Sequence, residues 1–368
     1  MNINSKIYKK KIIFFCENLG NKGGGAEKIL CYFANYLNSK KVDVKFYISQ
    51  PFFSYKKILN SSILLRCYNN FHYSLAFFSL FITIKKEKPN LVISTDFNCN
   101  IILILISSLI GTKICIRETI TRLETYKYEN TLSNKIRNIL IRLLYHKAHL
   151  IICPSEAVSK DLLKINPKIK KKMRVIYNPV DLKKILFLAK KRTNFKNNFF
   201  LYLGRLTKLK NIETLISVFH KIYKINKKYN LLIVGSGNLK NKISKNIKKN
   251  NMQDNIIIKD FVNNPYPLIK KANCLILPSY VEGCPNVILE TLALNTKIIS
   301  SNFVGYNEIL NKKYSLIFNK DNPNDLYSKM IKFHQGKNLK NITKTYISKN
   351  HSFKKIMKKF ENTLKEII

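Results

Sequence analysis

Apolar residues fall along this chain in short blocks with two different periods. Residues 11–17 (KIIFFCE) are a basic entry into a continuous apolar run, the pattern of a strand covered on both faces. Gly20 to Gly25 break it. Ile29, Leu30, Phe33, Ala34 and Leu37 then recur at helical spacing, and residues 42–48 alternate as the next strand. Strand, glycine-rich turn, helix and strand make one βαβ unit. Short strands are predicted again at 91–94, 113–116, 150–153 and 174–177, with helical stretches between them, so the first half reads as an α/β domain with a mostly parallel sheet. The two most apolar runs, 75–84 and 101–110, are far shorter than the roughly 20 residues a bilayer span needs and are expected as buried elements.

The rhythm restarts at Phe199. Strands are predicted at 199–203, 230–234, 256–258, 274–277, 297–300 and 316–318, and helices at 212–223, 287–294, 325–333 and 353–367. Between the two patterns, Asn178-Pro179-Val180-Asp181 turns the chain and residues 182–198 are basic without a clear strand. The expected organisation is a first Rossmann-like domain over 1–181, a linker over 182–198 and a second Rossmann-like domain over 199–351, followed by a last helix over 352–368.

Composition narrows the class. With 368 residues, 46% of them hydrophobic, two doubly wound domains have ample core. Eight Cys without a CxxC read as reduced thiols, and six His that never sit at ligand spacing make a metal site unexpected. The basic start is followed by too short an apolar stretch for a secretion signal. Lys and Arg number 66 against 21 Asp and Glu, a formal charge of +45. One source of that charge is base composition, since Lys, Asn and Ile are abundant throughout. The other is an anionic partner, whether nucleic acid, anionic lipid or a nucleotide sugar. Local clusters lie at Lys164 to Arg174 and over 135–147, and aromatic or basic residues at Tyr47, Phe52, Phe53, Tyr55, Lys56 and Lys57 are candidates to meet lipid.

Three segments carry candidate chemistry. Gly23-Gly24-Gly25-Ala26-Glu27 opens a helix directly after a strand, where free backbone N–H groups face an anion. It is neither the GxGxxG fingerprint nor a Walker loop, so NAD and P-loop ATP binding are poor fits. Gly204-Arg205-Leu206 with Lys208, Lys210 and Asn211 follows the first strand of the second half, and a scarce Arg beside a loop glycine suits phosphate. Glu282-Gly283-Cys284-Pro285-Asn286-Val287-Ile288-Leu289-Glu290 sets two carboxylates, in an acid-poor chain, around a loop and a helix start, where they can accept from sugar hydroxyls. Equally, Glu282 could pair with a Lys and Glu290 face solvent. The spacing fixes no carboxyl separation of the kind glycoside hydrolysis requires.

These residues resemble the retaining glycosyltransferases of family four, the group 1 glycosyl transferases with the GT-B fold. The segments GGGAEK (23–28), NPVD (178–181), YLGRLTKLKN (202–211), LLIVGSG (231–237) and LPSYVEGCPNVILETLALNTKIIS (277–300) fall in that family's order and spacing. The resemblance implies two Rossmann-like domains facing across a cleft, with the last helix crossing back to the first domain. It implies that Arg205 and Lys210 bind the donor diphosphate and steady the leaving group, that Gly24 and Gly25 let backbone approach it, that Glu282 contacts the donor sugar and Glu290 the ribose, and that Val287 and Ile288 lie by the nucleotide. No metal and no cofactor beyond the nucleotide sugar co-substrate are implied.

The implied activity is hexosyl or N-acetylhexosaminyl transfer, with retention, from a donor that is usually UDP-linked. The implied acceptor is a glycan or a polyprenyl-linked saccharide in lipopolysaccharide, capsule or related polysaccharide synthesis. The implied place is cytoplasmic, peripheral at the inner face of the cytoplasmic membrane and against its anionic surface. Many members carry a His after the strand matching 91–94. Here the sequence reads ISTDFNCN, leaving Asp96 or Arg117-Glu118-Thr119 as acceptor-side candidates. A non-catalytic scaffold relative and a nucleic-acid-binding protein are the alternatives. The retained Arg205, Lys210, Glu282 and Glu290 weigh against the first. The lack of any helix-turn-helix, zinc or RNP signature weighs against specific nucleic-acid binding.

Overall fold

Continuous runs of Ile, Leu, Val and Phe suit strands that are covered above and below, and such strands pair in parallel beneath crossover helices. The computed structural model describes residues 9–20, 24–70, 72–193, 195, 198–225, 227, 229–336 and 344–368. Gly23 and the basic residues 1–8 lie outside them. The chain separates into two compact units, one running to Pro179 and joined by Lys354–Ile368, the other Val180–Phe353.

The first unit runs β1 (Lys11–Cys16), α1 (Gly25–Ser39), β2 (Asp43–Ile48), β3 (Leu64–Cys67), α2 (Tyr73–Glu87), β4 (Leu91–Thr95), α3 (Phe97–Ile110), β5 (Ile114–Arg117), α4 (Arg122–Tyr128), α5 (Leu132–Leu144), β6 (Leu150–Cys153), α6 (Glu156–Ile165) and β7 (Met173–Val175). Its seven strands are ordered β3-β2-β1-β4-β5-β6-β7, every neighbouring pair parallel. The strand order reverses between β1 and β4, the kind of switch point at which open parallel sheets bind ligands. Strand β3 has only four residues, exposed on one side at Leu64 and Arg66, and is too weakly patterned to be read from sequence.

The second unit runs α7 (Leu182–Leu188), β8 (Phe199–Leu203), α8 (Ile212–Ile225), β9 (Asn230–Val234), α9 (Lys240–Lys249), β10 (Ile256–Lys259), α10 (Tyr266–Lys271), β11 (Cys274–Leu277), α11 (Asn286–Ala293), β12 (Lys297–Ser301), β13 (Ser315–Phe318), α12 (Pro323–His334) and α13 (Lys344–Asn350). The order is β10-β9-β8-β11-β12-β13, again wholly parallel, with the reversal between β8 and β11. Along β8 the period of two divides the core: Phe199 and Leu201 face one helical layer, Phe200 and Tyr202 the other. Helix α7 packs on α10 and α11, so the basic stretch after residue 181 begins inside this unit.

Helix α14 (Phe353–Lys365) returns to the first unit. Phe360 stacks on Phe33 of α1 with ring centroids 3.9 Å apart, and Tyr36 donates a 2.7 Å hydrogen bond to Glu361. Face-to-face aromatic packing of this size contributes on the order of 1 kcal/mol beyond its burial.

Two expectations need correction here. Tyr47 and Tyr55 do not meet lipid: Tyr47 lies on β2 beneath helices, and the Tyr55 ring fills the space where a Cβ on Gly20 would stand. The run 75–84 is not wholly buried. In α2, Ala76, Leu80 and Ile84 point into the core, while Leu75, Phe78 and Ile82 are exposed. A helix of 3.6 residues per turn cannot bury two opposite apolar stripes against one sheet.

Candidate active site

The residues singled out in the second half gather where the strand order reverses. The loop after β8 carries Arg205 and Lys210, and the loop after β11 carries Glu282. One main-chain hydrogen bond ties these loops together, from Tyr280 N–H to the Leu209 carbonyl at 2.9 Å. The Lys210 ammonium then reaches Glu282 Oε1 at 2.6 Å, with both side chains largely buried. Ser279 donates to the same carboxylate oxygen at 2.7 Å, and Ser301 at the end of β12 donates to the Ser279 carbonyl at 2.6 Å. Lys320, after β13, donates to the Tyr280 carbonyl at 3.3 Å. Loops from four strands are thus stitched around one carboxylate.

The arginine side of the loop is shaped by absent side chains. A Cβ on Gly204 would press on the Tyr202 hydroxyl at 3.0 Å. That hydroxyl donates to the Arg205 carbonyl at 2.8 Å. Burial pushes the Tyr202 phenol well above its ordinary pKa; the Glu282 charge adds to the rise and the Arg205 charge opposes it. It therefore stays a neutral donor, and it feels the acid and the arginine together. The β9 loop closes in as well. A Cβ on Gly235 would collide with the Gly204 backbone, and one on Gly237 with the Leu206 backbone. Only glycine lets these chains touch. Asn211 turns the chain into α8 at φ +50°, in the left-handed region that Asn tolerates. Its side-chain amide nitrogen is buried without a partner among the described residues.

The other candidates are placed as follows. Arg205 is exposed. Glu290 is one turn into α11 and accepts from Tyr266 at 3.4 Å. Val287 is half-buried at the start of α11, and its carbonyl accepts from Thr291. Ile288 presents no side-chain surface: it is wholly inside the core, and its N–H donates to the Pro285 carbonyl. Gly24 and Gly25 belong to the first unit, where Gly24 caps α1 and the Glu27 carboxylate occupies the place of its missing Cβ. Cys153 is buried and Cys284 half-buried, and burial raises the Cys153 thiol far out of the reactive range. Among the described residues no His, Cys, Asp and Glu groups assemble as a metal site.

Arg117 and Glu118, candidates from the sequence, belong to a charged network at the carboxyl ends of the first sheet whose other members sequence reasoning missed. Arg117, the last residue of β5, is buried and donates to Asn178 at 2.8 Å, while its carbonyl accepts from Asn100. Glu118 is fully buried and takes the Arg122 guanidinium at 2.7 Å and the Tyr145 hydroxyl at 2.9 Å. The Arg122 and Leu123 N–H groups donate to the buried Asp161, whose carboxyl burial nonetheless pushes upward. The one available signal was Glu118 and Arg122 at i, i+4, a spacing usually found on surfaces. Arg117 and Glu118 are therefore engaged within the unit. Asp96 is the partly exposed candidate, set before α3 with φ +74° and ψ +145°, a conformation costing a non-glycine residue on the order of 1–3 kcal/mol.

Comparisons with known proteins agree on one family. The model described as glycosyl transferases group 1 matches residues 184–350, and that of glycosyltransferase family 4 matches 23–184. A Campylobacter jejuni protein, the N-acetylgalactosamine-N,N'-diacetylbacillosaminyl-diphospho-undecaprenol 4-alpha-N-acetylgalactosaminyltransferase, is 30% identical over 332 residues, covering 86% of this chain and 88% of that one. An uncharacterized glycosyltransferase of Methanocaldococcus jannaschii is 31% identical over 242 residues, and there the chain spans about three fifths of the relative's length (59%). Among solved structures, Anabaena HepE in complex with UDP and glucose superposes with a TM-score of 0.78 at 15% identity, over 97% of this chain and all of that one. Sucrose-phosphate synthase of Thermosynechococcus elongatus gives 0.81 at 14% identity, over 98% and 99%. These likenesses show the GT-B fold.

Proposed function

We propose a donor, an acceptor class and a stereochemical course for this chain, which belongs to the family-four, group 1 glycosyltransferases. The donor is a UDP-linked hexose or N-acetylhexosamine, the acceptor a polyprenyl-linked saccharide, and the glycosidic bond forms with retention. The observation that carries the donor site is the Lys210–Glu282 pair beside Arg205, at the carboxyl ends of β8 and β11. Relatives acting on undecaprenyl-linked acceptors and a fold neighbour holding UDP support the choice of partners.

The chemistry follows from the groups present. The Lys210 ammonium has three N–H donors and gives one to Glu282, which leaves donors for a phosphate oxygen. Arg205 supplies a planar fork that grips two oxygens. Together they stabilise the negative charge that builds on the diphosphate as its bond to the anomeric carbon breaks. The acceptor hydroxyl attacks from the face the diphosphate leaves, and its proton passes to a departing phosphate oxygen. Glu282, steered by Lys210 and Ser279, accepts from donor-sugar hydroxyls; Glu290 accepts from the ribose, and Val287 lines the base. Gly24 and Gly25, at the start of α1, are the first-unit positions assigned to the donor. No metal is needed where two cations do this work. A polyprenyl acceptor resides in a bilayer, so the enzyme works at the inner face of the cytoplasmic membrane.

The test is ligand-observed NMR of the protein against UDP-, GDP-, ADP- and CMP-sugars, with Arg205→Ala as control. One preferred donor that is lost in the control supports the reading. Binding unchanged in the variant removes Arg205 from the site, and no binding to any donor favours a non-catalytic relative.

A further inference from the structure

We infer that Glu17, Gln50, Tyr73 and Asn98 of the first unit form a subsite for a neutral sugar of the acceptor. The inference rests on the transferase reading above and adds residues that recognise the acceptor. Glu17 directly follows β1, Gln50 lies two residues beyond β2, Tyr73 opens α2 after β3, and Asn98 is in the first turn of α3 after β4. The four residues thus come from the carboxyl ends of four neighbouring strands, about the switch point where open parallel sheets take ligands. Their side chains bond to one another. Tyr73 donates to Glu17 Oε1 at 3.1 Å, Gln50 Nε2 donates to the same oxygen at 2.8 Å, and Asn98 Nδ2 donates to the Tyr73 hydroxyl at 2.6 Å. The Glu17 carbonyl accepts from the N–H groups of Ser49 and Gln50 at 3.1 and 2.7 Å, which ties the β1 and β2 loops together.

These bonds leave capacity unspent. Among the described residues, Glu17 Oε2, Gln50 Oε1 and Asn98 Oδ1 accept no hydrogen bond, and all three side chains are half-buried. Carboxylate and amide oxygens accept from hydroxyls, and each amide keeps a second N–H for a hydroxyl oxygen. The internal bonds orient these groups before a ligand arrives, which lowers the cost of binding one. Tyr73 is 45% exposed, and its ring supplies an apolar surface for the C–H side of a pyranose. Burial and the Glu17 charge push its phenol up to about 12, so it remains a neutral donor. Charge narrows the ligand further. The one ionised group is a carboxylate, which repels phosphates, and none of the four is a cation in a chain with 66 of them. The cluster is not a metal-ligand group either. An uncharged polyhydroxyl compound suits all four side chains. A brace between loops and helices would need the internal bonds but none of the spare oxygens.

The test is saturation-transfer difference NMR of the intact protein with UDP and, in turn, the methyl α-glycosides of glucose, galactose, N-acetylglucosamine and N-acetylgalactosamine. At least one glycoside is expected to receive saturation alongside UDP. Glu17→Ala and Asn98→Ala should each weaken that glycoside about tenfold or more, as removal of a hydrogen-bonding partner does, and leave the UDP signal unchanged. Far-UV circular dichroism and Tm establish that each variant is folded, and Asn98→Ala decides the matter if Glu17→Ala is not. No transfer to any glycoside overturns the inference, and so does undiminished transfer in the folded variants. The UDP signals in the same spectra report on the donor site separately. UDP that binds while every glycoside fails removes the subsite and leaves the transferase reading standing. A glycoside that binds through Glu17 while UDP fails removes the UDP donor and leaves the subsite.

Discussion

In the second unit the exposed large apolar residues are singles, Phe187, Ile225 and Val304, whereas in the first they line three adjoining helices. Charged pairs differ less: Lys210–Glu282 of the second unit and Arg122–Glu118 of the first are both largely buried, and of the four side chains Glu118 is fully enclosed. Both units are parallel sheets with one reversal of strand order, so topology does not account for the contrast. Under the proposed function the Lys210–Glu282 pair shares its cation with an incoming phosphate. A pair that only anchors the loops at the end of a sheet can be buried, provided every charge is matched.

The sharpest way to break this contrast is to unmatch the buried pair. Arg122→Met leaves Glu118 with Tyr145 and the Thr119 N–H alone, and urea unfolding should register a loss of about 3–5 kcal/mol. A loss below about 1 kcal/mol would mean the pair is solvated in solution. Helix α2 tests the two-faced reading within fifteen residues. Leu80→Ala on the inner side should cost about 2–5 kcal/mol, and Phe78→Ala on the outer side should stay within about 0.5 kcal/mol. Equal effects would put Phe78 in the core.

In the second unit the expected effect is on rate rather than on stability. Arg205→Ala should lower kcat/KM by about 10²–10³, as loss of one charge-stabilising donor does, with Tm unchanged. The smallest effect concerns Glu87, whose carboxyl the hydrogen bonds from Lys45 and then Lys11 hold below the usual range. A lowered folded pKa gives stability that is present above the ordinary glutamate value and lost as pH falls through the folded one. Glu87→Gln should therefore be less stable than the parent by about 1 kcal/mol at neutral pH, and the gap should close in acid. A gap independent of pH would assign it to packing.

Much of this was legible in the chain. Glu282 and Glu290 drew attention because carboxylates are scarce, and Arg205 because Arg is scarce beside Lys. What surrounds them was not. Lys210 and Glu282 are 72 positions apart, and Ser279 and Ser301 are unremarkable until β11 and β12 lie side by side. Glu118 and Arg122 look like any surface pair at helical spacing. The outer face of α2 was missed because its run was read as one apolar block; divided by 3.6, Leu80 and Phe78 point to opposite sides. Strand β3 carries too little pattern for any such division.

The stacking of Phe360 on Phe33 has a consequence for the order of synthesis. The ribosome releases the strands and inner helices of the first unit long before it releases α14. Until residues 353–365 emerge, the Phe33 ring of α1 lacks the Phe360 ring that stacks on it, and the whole second unit is made in that interval. The first unit is thus begun first and finished last.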